Sequence, residues 1–560
     1  MKTFKFFNAG LLWIGLQFFY ILSLPAEEAG ENAKSLVQEA DQEKPSKTET
    51  DKVPYISLEE AMRLTLMNQR DILISNLEVE KGFGALEETA EPFDPTFDMR
   101  LMYDQSRFFQ YFPLGLKTHY SQFETTAQLN VFKRSRLGTE FSLSAQVDLV
   151  RNRLLPMIVE SPAPTTNQGK ITFQMTQPLL RNFLYSVDTM REQSALKEAV
   201  AEEYDNLQTI AERLFDTIVD YWEVVAAKEL LHIQKDAETR LLKLTKEVIA
   251  LIKEDEIAEN DLNQTLQQLA EQKVQVALAT QNVTATIENL KDAMGVTDPS
   301  GGLLTVCGNF SCNFKLMEDF PPLPAPHKDL CAEEYFWTQV AMNNSFNIVA
   351  STIREAAAED LVIGALNETL PEVDVFGGWS KTNFTLNDKA NELFSPLTSG
   401  DAQYDTFIGI RISTPLWNDG PVGRYRQREA TQQQTVFRTQ LLTQDLIRDL
   451  RTALNNHVNL WDAVNDSIEA VNKAQILVTN ENIKLKEGVS NLFFVVDFEN
   501  KLTQSLLEKT TLVKQYFQNI AQIRFLTATL LRMGPDMQIV EIGDVLRYPD
   551  KEAYCKETWF

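Results

Sequence analysis

Between Pro178 and Gly295 the chain contains neither a proline nor a glycine, and this absence constrains its architecture more than any other feature. Ordinary globular helices run to about 10–14 residues, so a helix-compatible stretch of this length is foreign to a compact core. Within it Leu207, Ile210, Leu214, Ile218, Tyr221 and Val225, then Leu241, Leu244, Val248 and Leu251, keep a three-four spacing. That spacing marks a single apolar stripe along a helix. At about 1.5 Å per residue, a helix of about 60 residues reaches about 90 Å. The two arms of such a hairpin make a rod, with its turn expected near Glu254-Asp255-Glu256.

The same plan recurs further along. Ala341-Met342-Asn343-Asn344 echoes Leu66-Met67-Asn68-Gln69, and Pro371 echoes Pro95. Thr414-Pro415-Leu416-Trp417 echoes Gln177-Pro178-Leu179-Leu180, and Met533-Gly534 echoes Met294-Gly295. Glycine and proline are again absent from Arg424 to Glu487, Gly488 marks a tip, and neither returns before Gly534. The predicted organisation is helix, strands and long helical hairpin, twice. The first copy spans 54–297 and the second 330–534, joined by a proline-rich linker over 298–329 and followed by a tail over 535–560. The first copy opens with Ser57 as helix cap and Glu60 completing a capping box.

Between the helical parts the period falls to two. Phe97, Met99, Leu101 and Tyr103 alternate with polar residues, as do Phe123 to Val131, Leu137 to Leu149, and Ile171, Phe173 and Met175. The second copy adds strands at Glu372 to Ser380 and about Tyr404 to Ser413. One greasy face and one face of Ser, Gln, Asn and Asp suits lipid on one side and water on the other, although a sandwich strand alternates in the same way. The long helices decide for the former. Two core strands per copy give about four per chain, too few to close a barrel, and open edges cannot face lipid. Closure therefore requires several copies, and three would supply about twelve strands. The additional strands at 97–103 and 123–149 either lengthen the barrel or form an external hairpin.

The compartment follows from the first residues. Lys2 and Lys5 precede an apolar run from Leu11 to Leu24, ending in Ser23-Leu24-Pro25-Ala26. At roughly 14 residues the run falls short of the ~20 needed to span a bilayer, so 1–26 reads as a secretory signal peptide, with an uncleaved anchor as the alternative. Residues 27–53 are charged and lack apolar periodicity, the composition of a disordered acidic lead-in. A formal charge of −26 disfavours nucleic acid as a partner and suits either solubility or attraction of cations. Cys307, Cys312, Cys331 and Cys555 show no metal-binding spacing, and their pairing stays open. His119, His232, His327 and His457 are scattered, and no hydrolase, zinc-protease or nucleotide-binding motif is present. No catalytic residue, metal or cofactor is expected.

Several passages taken together resemble the TolC-like outer-membrane efflux proteins. They are Leu58-Glu59-Glu60-Ala61-Met62-Arg63-Leu64, the Gln-Pro-Leu-Leu-Arg of 177–181, the Thr-Pro-Leu-Trp-Asn-Asp-Gly of 414–420, and Leu485-Lys486-Glu487-Gly488-Val489. The likeness runs from about residue 55 to 534. It implies a mainly α chain with a β-barrel: a homotrimer whose 12-stranded outer-membrane barrel continues as a periplasmic coiled-coil tube. It also implies a periplasmic adaptor (membrane fusion) protein and an inner-membrane pump as partners, with passive export through the duct. The rival is a periplasmic coiled-coil adaptor or structural protein without a pore, which the duplicated strand-and-hairpin plan argues against.

The same resemblance suggests site residues. Gly488, Val489 and Ser490 would form an adaptor-docking tip, and Glu254 and Asp255 the other tip, where relatives often have glycine. Aligned on Gly488, Asp497 falls where the family carries gate acids, with Glu499 nearby and Phe494 where the other acid often stands. A solvated surface carboxylate explains Asp497 as well. Trp379, Trp417 and Phe376 suit the membrane boundary or ordinary packing.

Overall fold

The computed structural model describes residues 55–111, 117–154, 165–253, 259–296, 315–316, 319–323, 330–385, 393–398, 401–533, 539–542 and 549. Contacts divide the chain into two units, and the elements below belong to the one formed by Ile56–Asn309 and Leu316–Phe560. Of the other unit, only Tyr55 and Lys315 are among the described residues. The expected signal peptide, acidic lead-in and first hairpin tip, and most of the linker and tail, lie outside the described residues.

Each half opens with a broken helix. In the first, α1 (Leu58–Asn68) stops at Gln69, whose extended backbone (φ −66°, ψ 123°) interrupts the helical path before α2 (Arg70–Thr89). Ser57 Oγ accepts the Glu60 amide at 3.2 Å, the expected cap. The other arm of the capping box is replaced, because the Glu60 carboxylate turns to Arg63 at 2.7 Å. Leu58, Ala61, Met62, Leu64 and Thr65 are buried.

Four strands follow: β1 (Thr96–Tyr111), β2 (Lys117–Arg134), β3 (Glu140–Leu154) and β4 (Thr166–Pro178). They lead into α3 (Val187–Lys253), 67 residues long, and α4 (Glu259–Ala293), 35 residues long. In the second half α5 (Leu330–Asn344) and α6 (Phe346–Glu368) break at Ser345 (φ −61°, ψ 116°). The strands β5 (Glu372–Thr385) and β6 (Asp401–Ser413) come next, then α7 (Asp419–Lys486) and α8 (Leu492–Leu526), of 68 and 35 residues. The two hairpins are thus matched almost residue for residue. A helix of 67 residues is about 100 Å long.

All six strands share one antiparallel sheet in the order β1-β2-β3-β4-β5-β6, so the two halves meet at the β4–β5 ladder. The segments left open between barrel and external hairpin are members of this sheet, and the chain contributes six strands where the core count gave about four. Alternation gives a strand two faces but does not say which strand it pairs with.

The rods pack through apolar stripes that meet side by side. Trp222 of α3 stacks on Phe517 of α8 at 4.9 Å between centroids, with Tyr221 and Tyr516 buried beside them. Nearer the tips Leu244 and Val248 of α3 join Leu269, Leu485, Leu492 and Val495 in one cluster. At the other end α6 approaches closely enough that a β-carbon on Gly364 would lie 2.9 Å from Met190 Cβ. Both 35-residue helices end in the same way. The Val296 amide reaches back to Lys291 O and the Thr529 amide to Arg524 O, each at 2.9 Å. Gly295 (φ 70°) and Ala528 (φ 52°) occupy the left-handed position this ending requires. The structural counterpart of Gly295 is therefore Ala528 rather than Gly534. The helix breaks correct a second echo by one residue, since Gln69 corresponds to Ser345. Among the described residues no helix is long and apolar enough to cross a membrane.

Candidate functional site: a two-faced sheet and a hairpin tip

The ladder register sorts the strand residues into two faces of opposite character. On one face Phe97, Val131, Leu143, Phe173 and Trp379 stand directly opposite one another, and the next row holds Met99, Leu129, Ala145 and Ile171 and ends on Lys381. On the other face the rows are Asp98, Asn130, Ser144, Thr172 and Ser380, then Arg100, Gln128, Gln146, Lys170 and Thr382. Polar side chains there bond along the surface: Thr126 donates to Asp148 at 2.9 Å, and Asn130 to Asp98 at 3.3 Å. Arg411 closes on Asp374 at 2.6 Å.

The apolar face is open over much of its area, with Phe97 69% and Ile408 84% exposed. At roughly 25 cal/mol per Å², a continuous greasy face of this kind is unfavourable in water and favourable against hydrocarbon. A short turn, Ser395–Leu397, covers one part of it. A β-carbon on Gly169 would lie 2.7 Å from Pro396 C, so only glycine admits that contact.

Of the three aromatic residues offered for a boundary, Trp379 lies on the apolar face, stacked on Tyr404 at 6.1 Å, and Trp417 stands exposed before α7. Phe376 lies on the opposite face. Its ring covers Gly409 across the ladder, with Cζ 2.5 Å from where a β-carbon would stand, and Phe407 covers Gly378 in the same way. Trp379 stands three positions after Phe376, an odd step that the pleat sends to the other side.

At the tip between α7 and α8, Gly488 takes φ 68°, and the Val489 amide reaches Lys484 O at 2.9 Å. Val489 projects into solvent. Ser490 Oγ bonds to the Glu481 carboxylate, which Lys484 also holds at 2.9 Å. Those two donors pull the Glu481 carboxyl below its usual range. Glu254 and Asp255 lie outside the described residues.

The gate candidates separate onto two sides of α8. Phe494 is 50% exposed and packs edge-on against Phe493 at 5.8 Å. Asp497, one turn on, pairs with Lys501 at 2.7 Å on the same stripe. Glu499 faces inward. It is 8% exposed and accepts Arg240 Nε of α3 at 2.7 Å, while Arg240 Nη2 donates to Thr503 at 3.0 Å. Glu499 therefore ties α8 to α3 and does not share a surface with Asp497.

A second ionic tie holds α6 to α3. Arg354 meets Glu198, Glu202 and Asp205 at 3.2, 3.0 and 2.5 Å, three carboxylates on successive turns of one helix. Burial, partly offset by Arg354, pushes the Glu198 carboxyl up. Further along α3, burial and then the neighbouring Asp216, Glu223 and Asp292 push the Asp220 carboxyl up to about 6. Apolar side chains remain exposed along α2 at Leu73, Ile74 and Leu77, and along α7 at Phe437 and Leu441.

No protein-family model matches the sequence, and no curated protein matches it. Solved structures do. The outer-membrane channel OprN superposes with a TM-score of 0.59 at 12% identity, over 86% of this chain and 98% of that one. The CmeC outer-membrane channel of Campylobacter jejuni gives 0.58 at 12% identity, over 87% and 90%. The outer-membrane protein VceC of Vibrio cholerae gives 0.57 at 12% identity, over 84% and 95%. Likeness at this identity is a likeness of fold, and it embraces sheet and rods together. The chain has the fold of the TolC-like outer-membrane channels.

Proposed function

We propose that this chain is one subunit of a passive export duct in the bacterial outer membrane, working as a homotrimer. The observation that carries this reading is the sheet: it is apolar on one face and polar on the other, unpaired at both edges, and continuous with rods about 100 Å long. Copies side by side pair the edges, turn the apolar face to outer-membrane lipid, and enclose the polar face around water. The exposed stripes of α2 and α7 are buried between neighbouring copies, and the helices continue the pore through the periplasm.

In this reading the duct forms part of a tripartite efflux or type I secretion system, and the Gly488-Val489-Ser490 tip docks the periplasmic adaptor that links it to an inner-membrane pump. Asp497, beside Phe494, lines the narrow periplasmic entrance, where three copies attract cations. The duct contributes geometry and an electrostatic lining, and it catalyses no reaction. Cell fractionation tests the assignment: the protein should stay with the outer membrane and run as a detergent-stable trimer. Recovery in the soluble periplasmic fraction would instead favour a pore-free coiled-coil adaptor.

A further inference from the structure

We propose that the barrel this chain builds has eighteen strands, six from each of three copies, with β6 of one copy paired antiparallel to β1 of the next. The proposal rests on the trimeric duct reading and specifies its membrane section. Strands β1 and β2 belong to the sheet by the same criterion as the rest: β1 pairs with β2 without a break from Thr96↔Phe132 to Tyr111↔Lys117, and β2 with β3 from Tyr120↔Leu154 to Arg134↔Glu140. The apolar row runs through them from Phe97 to Tyr103, opposite Val131 to Thr125, and gives way to polar residues at Gln105 and Arg107. The edges of the sheet are therefore β1 and β6, of 16 and 13 residues; β6, and β1 from Thr96 to Arg107, are open to solvent on both faces.

Six strands alternate in direction, so β6 runs opposite to β1 and the next copy's β1 can extend the antiparallel ladder. The register fits as well. Ile410 lies opposite Val375 and Val375 opposite Gln177, and continuing the same pairings leads through positions 139 and 135 to position 93. Threefold closure adds one third of the barrel shear at each seam, an even number of residues if apolar must follow apolar. A step of six puts Ile410 beside Met99 and a step of eight beside Leu101. Both lie on the apolar face, and both leave the whole of β6 paired. Those steps correspond to shears of about 18 and 24 and strand tilts of about 35° and 43°, inside the range of membrane barrels. The resulting backbone diameter is about 33–37 Å, against about 22–26 Å for twelve strands. The membrane section would then pass a wider cargo than twelve strands allow.

Cysteine pairs at the seam test this, in full-length protein with Cys307, Cys312, Cys331 and Cys555 replaced by serine. Ile410→Cys with Met99→Cys, or with Leu101→Cys, should oxidise to a covalent trimer in outer membranes. If β1 and β2 stood outside a twelve-stranded barrel, β6 would meet β3, and Ile410→Cys would cross-link to Leu143→Cys or Ala145→Cys instead. That result overturns the eighteen strands and leaves the duct standing, whereas a monomer that cross-links at neither seam overturns both. Should the variants not fold, electron microscopy of the unmodified protein in nanodiscs decides: a barrel about 35 Å across supports the proposal, and one about 24 Å across refutes it.

Discussion

Arg354 of α6 reaches Asp205 of α3 at 2.5 Å, and the same guanidinium serves Glu202 and Glu198 one and two turns away. One cation thus partly offsets a column of three acids where the second half of the chain lies on the first. Without it, three carboxylates crowd a half-buried seam. Arg354→Ala should destabilise the protein by about 1–3 kcal/mol, less than a fully buried pair because solvent reaches the site. Thermal unfolding should show the deficit at pH 7, and it should shrink toward pH 4 as the acids take up protons. An equal deficit at both pH values would rule out a charge effect.

Asp220 makes the opposite case, an acid whose surroundings disfavour its charge. Its folded pKa of about 6 lies above the ordinary 3.8, so between those values the folded protein holds more protons than the unfolded chain. Stability accordingly falls as pH rises through that window and stays lower above it. Asp220→Asn should raise stability at pH 7.5 by about 1–2 kcal/mol, allowing for partial exposure, and change little below pH 4. Melting curves of both proteins at the two pH values check this.

The matched helix ends make a paired test of backbone strain. Ala528 bears a side chain at φ 52°, where glycine is preferred, so Ala528→Gly should stabilise by about 0.5–1 kcal/mol. Gly295→Ala should cost about 2–3 kcal/mol, because its β-carbon would lie 2.5 Å from Asn68 O as well as at a strained φ. Denaturant midpoints that moved the same way for both variants would contradict the assignment of the two positions.

Much of this was legible in the chain itself. The absence of proline and glycine announced both rods, of which the α3 and α7 arms are 67 and 68 residues long; α7 starts earlier than its glycine-free stretch, carrying Gly420, Pro421 and Gly423 in its opening turns. The alternation at Phe97 to Tyr103 and Phe123 to Leu149 announced strands. It was silent on their neighbours, which depend on contacts distant in sequence, and so the sheet holds six strands where a count of core strands gave four. Gly534 drew the echo of Gly295 because glycine is the usual mark of a left-handed helix end; at Ala528 the helix end imposes that conformation on a residue that does not advertise it. The inward turn of Glu499 could have been found from Val495, Val496 and Leu502, whose spacing places it among them. Likewise Asp497 and Lys501, four residues apart, announce their own pairing.

The central claim is that copies of this chain close into a water-filled pore across a lipid bilayer, and planar-bilayer recording of the purified full-length protein tests it most directly. Addition of the protein should produce discrete conductance steps that prefer cations, with the preference weakened in Asp497→Ala. A protein that stays monomeric in water without detergent and leaves the bilayer silent would contradict the account.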